Sequence, residues 1–438
     1  MPTTERVLLN GEGSGRDLSS RVALICFIVV MIDGYDSLMI SFVAPLLAHD
    51  WALKPTDIGK IFAFGYVGAI LGAIIIGSMA DRLGRKPMLI AAMALAVVTT
   101  GLCAIASSLD MLIALRFVGG VALGGALPAL SSLTAEHAKA AKRNGTVTLM
   151  YIGYPMGAVV GGAITAALIH VGWSNIFLGS AAATVVALGV ALLLPESLKR
   201  KTGGDALKPE KKSASAAFTE QFEEGRLWPA LTLWLGLFCL LLLTYFLVSW
   251  TPSILVANGG SPRVAALGGV LLNLGGIIGA LLLAPLINRF GPFAPVAVTV
   301  AIGAAFVALL GQKLGSVPLL MVVLFLAGAC AIGGQLNFPA MTVELFPPRV
   351  RGAGSGWAIG VGRIGSIVGP LMGGSLIAAH LGAEKLFLLA AVPALAAAAA
   401  LLAAAKLRTT PKGPSGPTPR SDGEKSIDLQ SQSIRGQA

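Results

Sequence analysis

Charged side chains are scarce in this chain. Asp, Glu, Lys and Arg make up 12% of its residues against 55% hydrophobic ones, and an ordinary soluble domain carries about twice that charge. A soluble fold is excluded, because apolar residues in runs this long need a bilayer around them. Cysteine is sparse too: Cys26, Cys103, Cys239 and Cys330 stand singly in apolar runs, without CxxC or Cys/His spacing. That excludes a disulfide framework and a zinc site. The four histidines, His49, His137, His170 and His380, fall near the ends of apolar runs and join no nucleophile and acid, so the chain is read as a non-enzyme. No Gly-x-x-x-x-Gly-Lys-Ser/Thr element occurs, which removes ATP as a direct energy source. No cofactor or metal is expected. A removable signal peptide is not expected either, since the run after Ser20 is long, contains acids and lacks a small-residue cleavage site.

What the chain has in quantity is apolar runs of membrane-spanning length, about 20 residues each. Twelve are expected, at 22–47, 57–80, 87–107, 110–135, 145–170, 174–194, 229–256, 264–288, 293–312, 317–343, 352–379 and 384–405. The formal charge of +11 does not point to nucleic acid, because Lys and Arg gather in alternate connections: Arg82, Arg85 and Lys86 after the second run, Lys139, Lys142 and Arg143 after the fourth, Arg289 after the eighth, Arg349 and Arg351 after the tenth. By the positive-inside rule those connections and both termini are cytoplasmic, in a bacterial inner membrane. The expected fold class is all-α integral membrane. Its parts are an N-terminal tail (1–21), a six-helix bundle (22–195), a polar linker (196–228), a second six-helix bundle (229–405) and a tail (406–438) rich in Pro, Ser and Gly that is read as disordered. The chain is expected to work as a monomer.

The two bundles repeat each other. Glu136 and Arg143 recur as Glu344 and Arg351, and Gly157 and Gly161 recur as Gly365 and Gly369, all at a common offset of 208 residues. A sustained offset across several runs indicates duplication of a six-helix unit, with both copies oriented alike.

The costly residues lie inside the runs. Asp33 and Asp36 stand in the first, around Gly34 and Tyr35, and an ionisable group within a span is a functional candidate by default. Three residues apart, they share a helix face. Arg363 in the middle of the eleventh run, flanked by Gly362, Gly365 and Ser366, offers a planar fork of donors suited to a carboxylate. It is read either as a substrate anchor or as a salt-bridge partner of Asp33 or Asp36. Arg116, nearer the outer end of the fourth run, is a functional candidate or a structural arginine. Gln335 and Asn337 could bond a polar substituent or glue helices together, and Tyr151, Tyr154 and Trp357 could stack on an aromatic ring or serve as packing. Glu136 and Glu344 are read chiefly as gate or half-to-half salt bridges.

The connection Gly77-Ser78-Met79-Ala80-Asp81-Arg82-Leu83-Gly84-Arg85-Lys86 resembles the Gly-x-x-x-Asp-Arg-x-Gly-Arg-Lys signature of the major facilitator superfamily at every defined position. Asp33-Gly34-Tyr35-Asp36, with Arg116-Phe117-Val118-Gly119-Gly120, Gly356-Trp357 and Gly362-Arg363-Ile364-Gly365, resembles the aromatic acid:proton symporter family within it. The resemblance implies a two-bundle secondary transporter that imports a small aromatic carboxylate with protons. It implies proton coupling at Asp33 and Asp36, and substrate contacts from Arg363, Arg116, Asn337, Gln335, Tyr154 and Trp357. Gating would fall to Gly77, Asp81, Arg82, Gly84, Arg85, Lys86, Glu136, Arg143, Glu344 and Arg351. Pro339 and Phe346-Pro347-Pro348 depart from the family's more usual Tyr-Pro-Thr, leaving the helix geometry there open. The alternatives are a superfamily porter for another organic anion or a sugar, and a membrane receptor that binds without transport.

Overall fold

The structure is a computed structural model, and it describes residues 4–139, 143–195, 219–223, 225–347 and 349–408. Eleven helices among them are long and apolar enough to cross a membrane, and the seventeen-residue Phe293–Leu309 is a shorter apolar twelfth. The first half holds α1 (Thr4–Asp50), α2 (Pro55–Leu83), α3 (Arg85–Cys103), α4 (Leu109–His137), α5 (Arg143–Leu168) and α6 (Trp173–Leu192). The second holds α7 (Leu227–Ala257), α8 (Pro262–Phe290), α9 (Phe293–Leu309), α10 (Val317–Leu336), α11 (Phe338–Leu345), α12 (Arg351–Ala378) and α13 (Ala383–Leu407). Glu196 and Ser197, most of the polar linker and the tail from 409 onward lie outside the described residues.

Two departures from the expected runs have simple causes. The helix of the first span already begins at Thr4, since a helix may continue past the bilayer without being apolar. The tenth span, expected as one piece, is broken at Asn337 between α10 and α11. Pro339 lacks an N–H and its ring excludes the carbonyl four residues back. At the break the Asn337 side-chain amide donates to Gly333 O of its own helix at 2.9 Å and to Ala280 O of α8 at 3.3 Å.

The duplication is visible in the caps and contacts. Ser108 accepts from Met111 N at the start of α4 and Ser316 from Leu319 N at the start of α10, again 208 residues apart, each satisfying an orphan donor of its first turn. The turns after α2 and α8 use Gly84 (φ 103°) and Gly291 (φ 76°), a backbone region that other residues enter only with strain. A Cβ on Gly157 would collide with the Met31 carbonyl of α1, and one on Gly365 with the Phe238 carbonyl of α7. The pairs α1·α5 and α7·α12 are thus equivalent close packings of small residues, of the kind that lets membrane helices approach.

A stability prediction follows from that contact. Gly157→Leu and Gly365→Leu are expected to cost at least the 1–3 kcal/mol typical of overpacking and to lower the melting temperature of the purified protein. Gly189→Leu in α6, where nothing lies within 4 Å of a new Cβ, should leave it unchanged.

Among the described residues the halves pack together toward one end. Near the face where α2 begins and α12 ends, Trp250 of α7 donates to Pro370 O at 2.9 Å and lies edge-on to Phe62 of α2 at 5.8 Å. A Cβ on Gly374 would press on Pro55 O. Phe42 of α1, Ala166 of α5 and Ala266 of α8 form a buried cluster across the same seam. Toward the opposite face, which carries the basic turns after α2 and α8, the halves part around a cavity.

Candidate functional site

The cavity has a volume of about 410 Å³ and is lined from both halves, by α1, α2, α4 and α5 on one side and α7, α10, α11 and α12 on the other. At its basic-face end Tyr151 and Ile359 are exposed; at its inner end Phe62 is buried. Four of the chain's five tyrosines line it: Tyr66, Tyr151, Tyr154 and Tyr245. Tyr66 and Tyr245, one from each half, meet edge-on with ring centroids 4.6 Å apart. Most of the remaining wall is aliphatic, and the polar groups are Asp33, Ser37, Arg116, Thr148, Gln335, Arg363 and Ser366.

The two aspartates part company. Asp36, 0% exposed, turns into the first half, where Thr100 Oγ1 donates to both its carboxylate oxygens at 3.0 Å and Ser180 Oγ to Oδ1 at 2.9 Å. Arg116 completes the cluster, with Nη2 3.7 Å from Asp36 Oδ2 and Nη1 donating to Asp36 O at 3.4 Å. The guanidinium also lies over the Phe177 ring at 5.4 Å. Asp33 has none of this. It is 1% exposed, lines the cavity, and neither of its carboxylate oxygens has a hydrogen-bond partner.

Arg363 lines the same cavity from α12. Among the described residues no side chain makes an ion pair with it, so the expected pairing with one of the aspartates is not made. The aspartate cluster is occupied by Arg116 instead, because Arg116 and Asp36 sit in the same half, on helices packed directly together. Arg363 and Asp33 therefore face one space from opposite halves, an unpaired cation and an unpaired acid.

Other expected site residues divide by helix face. Ile359, Arg363 and Ser366 follow one stripe of α12 at i, i+4 and i+7 and line the cavity. Trp357 is off that stripe, about 200° around the helix from Ile359, and stacks on Trp234 at 6.3 Å outside the lining. Asn337 is likewise not among the lining residues, its amide being spent on Gly333 and Ala280. Gln335, two residues earlier, does line the cavity, and its Oε1 has no partner. Tyr154 and Tyr151 line it as well. Tyr66, Tyr245, Thr100 and Ser180 were not singled out from the sequence. Single hydroxyls in apolar runs carry no periodic or motif signal, and only the fold brings them to the site.

The residues expected to gate lie at the basic face. Arg85 pairs with Glu136, and Glu344 with Arg408, and each of these pairs lies within one half. Arg351 donates to Phe346 O and Val343 O, both at 3.3 Å, capping the end of α11. Gly77 packs against Pro128 of α4, Gly84 makes the turn, Arg82 and Arg143 are exposed, and Lys86 is partly buried. The side chain of Asp81 lies outside what is described.

Removing one member of the buried cluster strands the other. Asp36→Ala is expected to cost about 3–5 kcal/mol, as broken buried pairs do, and to lower the melting temperature of the purified protein sharply. Asp33→Asn, which removes no contact, should melt at or above the temperature of the unchanged chain.

A model of the Major Facilitator Superfamily matches residues 26–311 and 254–437. The chain is 31% identical to the 4-hydroxybenzoate transporter PcaK of Pseudomonas aeruginosa over 90% of this chain and 95% of that one. It is 33% identical to a gallate transporter of Pseudomonas putida over 89% and 93%, and 33% identical to the 3-(3-hydroxy-phenyl)propionate transporter of Escherichia coli over 83% and 89%. Among solved structures it resembles a bacterial homologue of the human lysosomal transporter Spinster in an inward-facing, unoccupied conformation, at a TM-score of 0.71, 18% identity and coverage of 90% and 99%. The inward-open xylose transporter XylE of E. coli gives 0.69, 17%, 90% and 98%. At such identities these structures speak for the fold alone.

Proposed function

The chain belongs to the major facilitator superfamily, and we propose that it imports a small aromatic carboxylate together with protons by alternating access. The observation that carries this reading is the pair of partnerless opposite charges, Asp33 and Arg363, facing one cavity between the two halves. The aromatic acids named for its relatives fit that cavity in kind. A guanidinium fork suits a carboxylate, and tyrosine rings suit an aromatic ring by edge or offset contact.

Coupling comes from the cost of an unpartnered ion. An ionised carboxyl group without a donor or counter-charge is expensive away from water, so Asp33 rests at low cost only with a proton bound or with a cation beside it. With Asp33 protonated, Arg363 is free to hold the anionic substrate. When the substrate leaves toward the cytoplasm and Asp33 gives up its proton, Arg363 becomes, among the described residues, the cation of the cavity left to compensate it, since Arg116 is engaged by Asp36. The empty carrier then returns with the two charges drawn together. Substrate and proton thus travel as a set, and no nucleotide is needed.

With the basic turns in the cytoplasm, the open end of the cavity faces inward and the Phe62·Trp250 seam closes the outside. The transport cycle would exchange that seam for contacts at the basic face, where Arg85·Glu136 and Glu344·Arg408 stay within the halves and brace each as a rigid body. The test is uptake of labelled 4-hydroxybenzoate by proteoliposomes under an imposed pH gradient. Accumulation above the external concentration, abolished by a protonophore, is the expected result. Equilibration without accumulation would leave a facilitator, and no uptake of any aromatic acid would reject the cargo.

A further inference from the structure

We propose that Gln335 sets the carrier's preference for ring-hydroxylated aromatic acids, by accepting a hydrogen bond from a phenolic hydroxyl at the break of the tenth span. The inference rests on the aromatic carboxylate reading above and deepens it. Two independent observations lead to this residue.

The first is a polar atom without a partner. Among the described residues that line the cavity, four side-chain atoms are buried without a hydrogen bond: the two Asp33 oxygens, Arg116 Nε and Gln335 Oε1. The Asp33 oxygens are committed to the proton, and Arg116 is held by Asp36. Gln335 Oε1 is the neutral acceptor that remains, and a buried acceptor left unmade costs free energy that a ligand donor recovers. If the amide is turned, its nitrogen occupies the same place and donates to the same hydroxyl, so recognition survives either orientation.

The second is the broken helix. Irregular backbone at membrane depth is tolerated where it is buried in protein or lines a cavity, and interrupted helices mark binding sites in transporters. Here the break between α10 and α11 is at the cavity wall: Gln335, Leu336, Phe338 and Pro339 all line it. Asn337 turns away and spends its amide on Gly333 and Ala280, which closes the break on its far side and leaves Gln335 on the near side. A substrate held by its carboxylate on Arg363 of α12 is thereby read at its ring by a second element of the same half. Benzoate can make the first contact and not the second.

The test is binding to the purified full-length protein, by calorimetry, of benzoate and of 2-, 3- and 4-hydroxybenzoate. The expected result is that one hydroxy isomer binds about tenfold more tightly than benzoate, the worth of one good hydrogen bond. In Gln335→Leu and Gln335→Met the ratio of the benzoate Kd to the Kd of that isomer should fall to about one, whatever the shift in the benzoate Kd itself. Benzoate binding also serves as the folding control. A hydroxy preference that persists in both variants would overturn the proposal, as would equal affinity for benzoate and all three isomers in the unchanged protein, which would leave the carboxylate reading intact. Loss of benzoate binding in both variants would make Gln335 part of the frame and overturn it as well. If the unchanged protein binds none of the four acids, the carboxylate reading itself falls.

Discussion

Asp33→Asn is expected to abolish accumulation of 4-hydroxybenzoate in proteoliposomes under a pH gradient, while exchange of labelled for unlabelled substrate without a gradient continues. One proton moved down one pH unit is worth about 1.4 kcal/mol, or about tenfold in concentration. An unchanged carrier taking up one anion with one proton therefore reaches about a tenfold internal excess at one unit, and the variant should reach none. Asparagine keeps the shape of the side chain and disturbs no bond, because Asp33 makes none; what it removes is the site for the proton. Exchange needs only that the loaded carrier reorient, and a permanently neutral residue 33 allows this. Accumulation by Asp33→Asn equal to that of the unchanged protein would remove Asp33 from the coupling role.

Arg363→Ala is expected to weaken binding of every aromatic carboxylate by at least about thirtyfold. Truncating one partner of a buried charge pair costs about 2–5 kcal/mol or more, which corresponds to thirtyfold and upward. The loss should be uniform across ring substituents, in contrast to the selective loss at Gln335, because every substrate of the class shares the carboxylate. Arg363→Lys should recover only part of it, since a single ammonium cannot reproduce the two parallel bonds of a guanidinium. Calorimetry on the purified variants measures both. Affinity within threefold of the unchanged protein in Arg363→Ala would place the anchor elsewhere.

These two expectations narrow what the motif suggests when read alone. The Asp-Gly-Tyr-Asp stretch leaves both Asp33 and Asp36 open as the proton site, and the sequence reads Arg363, mid-span, as a substrate anchor or salt-bridge partner and Arg116, nearer a helix end, as functional or structural. The structure separates them by partner. Thr100, Ser180 and Arg116 take up Asp36, so substitution there reads out as stability. Asp33 and Arg363 are left over, so substitution there is expected to read out as coupling and binding. Trp357 and Asn337 are lost to the cavity for equally local reasons: one lies on the wrong face of α12, the other spends its amide on the carbonyls of Gly333 and Ala280.

Much was legible in the sequence alone. The number and placement of spans follow from the length of apolar runs, because bilayer thickness sets how many residues must be apolar. The two-fold repetition shows in the offset of 208, because duplication preserves spacing; Ser108 and Ser316 cap their helices at that same offset. That the first and eleventh spans hold candidate functional residues follows from charge where charge is costly. Only the tertiary structure decided which acid has partners, which arginine is free, and which tyrosines surround the space between the halves. Those answers depend on contacts between residues as distant in the chain as Asp36 and Ser180, or Tyr66 and Tyr245. Each helix has one polar face to share among several neighbours, and which neighbour receives it is settled by packing, which no single run of sequence contains.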